Sequence, residues 1–117
     1  MKPIIEYRRV SESNHTGEFA SLLKQQASNR LFAEQNGYEI VEVIEETASG
    51  NLGIYNREGL MLAIDRAGKL QCPVLVSSLD RIGRYTMDVV RVLSSGVEIK
   101  SSRPLGAYEK TLLGING

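Results

Sequence analysis

The feature that most constrains this chain is an alternation. Short runs rich in β-branched residues are separated by longer segments whose apolar residues recur with a helical period. Residues Lys2 to Val10 contain Ile4, Ile5, Tyr7 and Val10 and read as a strand. From Phe19 the apolar positions Phe19, Leu22, Leu23, Ala27, Leu31 and Phe32 follow a near-3.6 repeat, and Asn36-Gly37 is a good helix stop. Tyr38 to Glu45 is again strand-like. A helix bearing Leu60, Ala63, Ile64 and Ala67 is expected next, capped by Asn56 and ending at Gly68. Pro73-Val74-Leu75-Val76 is a continuous apolar run, as in a strand buried on both faces. Thr86 offers the cap of a third helix, with Asp88 in its first turn and Met87, Val90 and Leu93 on one face. Gly96 ends that helix, and Val97 to Lys100 makes a fourth strand.

The order β-α-β-α-β-α-β implies right-handed crossovers. It predicts an α/β fold of three layers: a mostly parallel sheet of four or five strands with helices on both faces. At 117 residues the chain suggests one domain, large enough for a core without staples. Its single cysteine, Cys72, excludes an internal disulfide and reads as a small buried hydrophobe, which fits a reducing cytoplasm. No apolar run reaches the roughly 20 residues of a membrane helix. Glu6 interrupts what could otherwise be a signal-peptide core, so no membrane association is expected. Fourteen basic residues balance fourteen acidic ones, so strong DNA binding by charge alone is not expected. The basic set nevertheless holds nine arginines against five lysines, and several of them fall in loops.

In open α/β sheets the site lies beyond the carboxyl ends of the strands. Three loops should meet there: Arg8-Arg9-Val10-Ser11, Glu46-Thr47-Ala48-Ser49-Gly50 and Ser78-Leu79-Asp80-Arg81-Ile82-Gly83-Arg84. Arg57, at the expected start of a helix, adds a further cation. Arginine suits phosphate because its planar fork donates in pairs and stays charged. Phosphoryl transfer asks mainly for alignment and charge stabilisation. Serines among arginines therefore point to phosphodiester chemistry with no metal and no cofactor. The single histidine, His15, has no histidine or cysteine near it in sequence and reads as an exposed loop residue.

Tyr7-Arg8-Arg9-Val10-Ser11 resembles the Tyr-x-Arg-Val-Ser opening of serine recombinases, the resolvase and invertase family. Leu79-Asp80-Arg81-Ile82-Gly83-Arg84 resembles that family's Leu-Asp-Arg-Leu-Gly-Arg box. Glu46 to Gly50 and Asn56-Arg57-Glu58-Gly59-Leu60 resemble two further family segments, in the expected order, and Gln26 matches a glutamine of the first long helix, where it shares a face with Leu22, Leu23 and Leu31 and is expected to point inward. The resemblance runs from about residue 3 to residue 100. It implies a resolvase-like catalytic domain over 1–110 of a site-specific recombinase that cleaves and rejoins DNA strands through a 5′-phosphoserine link. It further implies that Ser11 is the nucleophile and that Arg9, Arg57, Arg81 and Arg84 surround the phosphate. Asp80 would orient the arginines or assist proton transfer, and Gln26 and Ser49 would support the site. Arg8 falls at the family's variable position and receives no role.

Two departures stand out. The spacing from Gly50 to Arg57 looks two residues longer than in small resolvases, and the first helix is longer too. Both lean towards large serine recombinases or transposon-encoded relatives. The family continues with a long dimerisation helix, which 111–117 resemble at its first turn, and then with a DNA-binding domain. The full-length protein is therefore expected to form a homodimer and a synaptic homotetramer on DNA, and this fragment alone is expected to be inactive. Ser11, Arg9, Asp80, Arg81 and Arg84 should share one pocket. The Ser11 loop should be mobile, because Ser13, Asn14, Thr16 and Gly17 give it little to pack. The competing reading, a non-catalytic regulatory or protein-interaction module on a flavodoxin-like fold, predicts an acidic pocket or a glycine-rich loop after strand one. A degenerate homologue predicts loss of Ser11 or of an arginine. The chain shows neither pattern.

Overall fold

The structure, a computed structural model, describes residues 1–10, 15–48 and 52–114, with the side chains of α1 described from Ala20 onward. The elements are β1 (Lys2–Val10), α1 (His15–Asn36), β2 (Tyr38–Thr47), α2 (Glu58–Leu70), β3 (Val74–Val76), α3 (Thr86–Ser94), β4 (Ile99–Ser101) and α4 (Ala107–Leu112), with 3-10 turns at Ile54–Asn56 and Leu79–Arg81. The four strands form one parallel sheet in the order β2-β1-β3-β4. The chain moves one way from β1 to β2 and the other way through β3 and β4. With right-handed crossovers, α1 must then cover one face and α2 and α3 the other. The strand order reverses at β1, which places the switch point between the carboxyl ends of β1 and β3.

Under α2 and α3 lies the main core: Ile5 and Tyr7 of β1, Val74 and Val76 of β3, Leu60, Ala63 and Ala67 of α2, and Val89 and Val92 of α3. The opposite face of β1 carries Ile4, Glu6, Arg8 and Val10, all buried, because successive side chains of a strand alternate. Two charged residues in the middle of a central strand must find partners there.

They find them partly in α1, which corrects the expected packing of that helix. Leu23 and Leu31 are 51% and 54% exposed, and Gln26 is half-buried. The buried line is Gln25, Asn29 and Ala33, four residues apart. The apolar periodicity placed the wrong stripe inward because the sheet beneath presents charges, which amides satisfy and leucines cannot.

The helix boundaries shift for related reasons. Asn56 ends a 3-10 turn, and the residue preceding α2 is Arg57, whose side chain makes no capping bond. The helix runs past Gly68 to Leu70 and ends at Gln71 in the left-handed region, φ 54°. Thr86 is the first residue of α3 rather than its cap, a position that Tyr85 occupies. At Gly37 (φ 73°) and Gly96 (φ 90°) the glycines stand where the backbone turns left-handed, as the sequence suggests. The fourth strand begins two residues later than expected, at Ile99. At the carboxyl end, 111–112 form the last turn of α4, Gly114 follows with φ 77°, and residues 115–117 lie outside the described ones. Among the described residues no helix is long and apolar enough to cross a membrane.

Candidate active site

The site grows from a mismatch in strand length. β1 spans nine residues and β3 only three, and the two pair at Ile5 and Glu6 alone. Beyond β3 the backbone of Arg9 faces its side of the sheet with no strand beside it. The Gln25 side chain fills the gap as a peptide would: its Oε1 accepts from Arg9 N at 3.2 Å and its Nε2 donates to Arg9 O at 3.2 Å. Arg81 Nη1 donates to the same carbonyl at 3.0 Å. The glutamine that meets Arg9 is thus Gln25. Gln26, the expected one, lies one step around the helix and is half-buried. A neighbouring pair of glutamines leaves the choice to the rotation of the helix, which the sheet sets.

The Arg9 guanidinium ties two loops together. Nη1 donates to Ala48 O at 2.9 Å, Nε to Arg81 O at 3.2 Å and Nη2 to Asp80 O at 3.0 Å. Burial, and then the like charges of Arg57 and Arg81, push its pKa below the usual arginine value. It remains a cation at any working pH.

Arg57 is fully buried, its Cζ 5.7 Å from the centre of the Tyr7 ring. It donates through Nη2 to Tyr7 Oη at 2.8 Å and to Arg81 O at 2.7 Å, and through Nη1 to Ile82 O. Arg81 is half-buried and reaches Ser21 Oγ at 3.2 Å with Nη2. Arg9, Arg57 and Arg81 therefore gather around one stretch of backbone, the turn Leu79–Arg81 after β3. Asp80 joins them through its carbonyl. Its carboxylate is exposed and accepts from Ser78 Oγ, though it stays near enough for its charge to act on Arg9.

Arg84 stands apart. It is exposed and lines a groove of about 170 Å³ with Leu79, Asp80, Tyr85, Thr86 and Tyr108. Ser11 and Ser49 lie outside the described residues, as do 12–14 of the loop in which mobility was expected; His15, Thr16 and Gly17, expected in that loop, instead begin α1.

One acidic residue belongs here that the sequence reading passed over. Glu46, near the end of β2, accepts from Tyr7 Oη at 2.6 Å and from the backbone N–H of Gly59 at 2.6 Å and Leu60 at 3.2 Å, and its Oε1 lies 3.7 Å from Arg57 Nε. The signal available was an acid just before a polar loop, which is too common to single out. Burial foremost, and then the hydrogen bond to Glu46, raise the Tyr7 pKa well above the ordinary tyrosine value. Among the described residues no three His, Cys, Asp or Glu side chains gather closely enough to ligate a metal ion together. Cys72 is buried at the opposite end of the sheet, beside a cavity of about 450 Å³.

The domain is thus a parallel α/β sheet with arginines collected at its switch point. Residues 4–103 match the resolvase N-terminal domain model, and the chain belongs to that family: it is a resolvase-type serine recombinase catalytic domain. Solved structures agree. The N-terminal catalytic domain of TP901-1 integrase is 25% identical, with a TM-score of 0.72 over 97% of this chain and 92% of that one. The C-terminal catalytic domain of ISC1926 TnpA, an IS607-like serine recombinase, is 26% identical, with a TM-score of 0.70 over 93% of this chain and 73% of that one. A resolvase family site-specific recombinase from Streptococcus pneumoniae shares the fold, with 24% identity and a TM-score of 0.68 over 97% of this chain and 84% of that one. No curated protein matches significantly.

Proposed function

We propose that this domain cuts and rejoins DNA strands with Ser11 as nucleophile. The Ser11 oxygen attacks the scissile phosphorus, the bond to the 3′ oxygen breaks, and the DNA 5′ end is left as a phosphoserine ester. The serine proton is lost and the departing 3′ oxygen gains one. Attack by a 3′-hydroxyl on the ester reverses the step, so the energy of the broken ester is conserved and no ATP is needed.

The observation that carries this reading is the convergence of the Arg9, Arg57 and Arg81 guanidiniums at the carboxyl end of β1, with two nearby carboxylates, Glu46 and the exposed Asp80. Three cations against two acids still leave positive charge for an anion. In sequence Ser11 follows Val10, the last residue of β1. Half-exposed Arg81 is the group best placed to meet a phosphate oxygen, while buried Arg57 acts by holding the turn that carries it. Arg84 would approach the phosphate from the exposed groove, and Ser49 would assist by hydrogen bonding. The exposed carboxylate of Asp80 is the proton acceptor we assign to Ser11.

Strand exchange would take place in the cytoplasm, in a homodimer and then a synaptic homotetramer. A long helix and a DNA-binding domain would supply subunit pairing and grip on DNA. The test uses the protein at its full natural length, incubated with its element ends and then denatured. A DNA 5′ end bound covalently to protein, absent in Ser11→Ala, is the expected result. A folded protein that binds this DNA and yields no adduct would point instead to a degenerate homologue.

A further inference from the structure

We propose that Glu46 is a positioning residue for strand cleavage, locking α2, β1 and Arg57 into one body so that Arg57 holds the Arg81 turn in place. This rests on the recombinase reading given above.

The geometry begins at the start of α2. The first turn of a helix leaves N–H groups without partners, and the residue before the helix normally supplies an acceptor. Here that residue is Arg57, which has only donors. The acceptor comes instead from a different strand: Glu46 takes the N–H of Gly59 at 2.6 Å and of Leu60 at 3.2 Å. A carboxylate at a helix N-terminus also meets the positive end of the helix dipole.

The same carboxylate faces Arg57 Nε at 3.7 Å and accepts the Tyr7 hydroxyl at 2.6 Å. Arg57 then donates to the carbonyls of Arg81 and Ile82. A continuous path therefore runs from Glu46 through Arg57 to the backbone that carries Arg81. Gly59 is fitted to this arrangement, since a Cβ there would lie 2.9 Å from both Cβ and Cδ of Glu46. Glu46 need not touch the DNA. Its effect reaches the phosphate through Arg57 and Arg81.

The variants are Glu46→Gln, Glu46→Asp and Gly59→Ala, made in the protein at its full natural length. Three quantities are measured on each: DNA affinity, the first-order rate of adduct formation on saturating DNA, and the ultraviolet titration of Tyr7. In Glu46→Gln we expect affinity to hold and the rate to fall on the order of a hundredfold, the cost of a reacting group displaced by about 1 Å. Tyr7 should ionise at lower pH, because the carboxylate that disfavours its ionised form is gone. Glu46→Asp, which keeps the charge on a shorter stem, should recover part of the rate. Gly59→Ala should lose rate by displacing Glu46 and so guards against a Glu46→Gln protein that fails to fold.

A folded Glu46→Gln protein that forms adduct at the wild-type rate overturns the inference. If wild type itself yields no adduct, the recombinase reading fails first. The Tyr7 titration then decides: an unmoved titration overturns the proposed lock, and a shift to lower pH upholds it.

Discussion

On the face of the sheet under α2 and α3, β1 points Ile5 and Tyr7 into a cluster of buried apolar side chains. On the face under α1, the same strand points Glu6 and Arg8. Arg8 Nε donates to Glu6 at 2.5 Å and its Nη1 to Glu45 at 2.7 Å. Asn29 of α1 donates to Glu6 at 2.9 Å and accepts from Ser102 at 2.8 Å, and Ser102 pairs with Ser28 at 2.7 Å. One helix pair is held by non-directional burial, the other helix by a chain of oriented bonds. The apolar face supplies stability at roughly 25 cal/mol per Å² of buried apolar surface. The polar face supplies register: only one rotation of α1 brings Asn29 onto Glu6 and, one turn earlier, Gln25 onto Arg9. The residue left without a role by its sequence position, Arg8, belongs to this second device.

The contrast can be broken from either side. The largest effect should come from Glu6→Leu, which leaves the buried Arg8 without its nearest partner and should cost about 3–5 kcal/mol in urea unfolding. Adding Arg8→Met should recover most of that loss, because replacing both partners of a buried pair by apolar groups is often neutral. A double variant as unstable as the single one would show that the network supports the fold as much as the register. On the apolar face Leu60→Ala should cost about 2–5 kcal/mol, with no second-site polar change to offset it.

Tyr7 touches both themes, being an apolar ring with a polar tip. Its raised pKa means that the folded state favours the neutral phenol. The associated stability is complete below the unfolded tyrosine value of about 10 and falls as pH rises beyond it. Tyr7→Phe should lower stability by about 1 kcal/mol at neutral pH and flatten the decline above about pH 10. Equal alkaline slopes for the two proteins would remove Tyr7 as the cause. Smallest of all, Leu31→Ala on the outer side of α1 should change stability by less than about 0.5 kcal/mol. Hydrogen exchange offers a direct comparison of the faces: amides of α1 from Ala20 to Asn36 should open at lower free energy than those of α2.

Much of this architecture was legible in the order of residues. The alternation of strand-like and helical runs predicted the sheet, and the end of β1 bearing Arg9 does meet the turn bearing Arg81 at one edge. The inward stripe of α1 was misread because periodicity ranks residues by their own hydropathy, whereas burial depends on the facing surface. The α2 cap was misread for the same kind of reason: its acceptor, Glu46, is distant in sequence and becomes local only when β2 lies beside β1.

By itself, then, the sequence determined the α/β succession and the chemistry available at its loops, because hydrophobic period and residue type are local properties. The tertiary structure alone decided which of two adjacent glutamines meets Arg9, which arginine is buried as a brace and which lies exposed, and which acid closes the circuit. Those outcomes depend on strand length and helix rotation. Both are set by contacts between residues far apart along the chain.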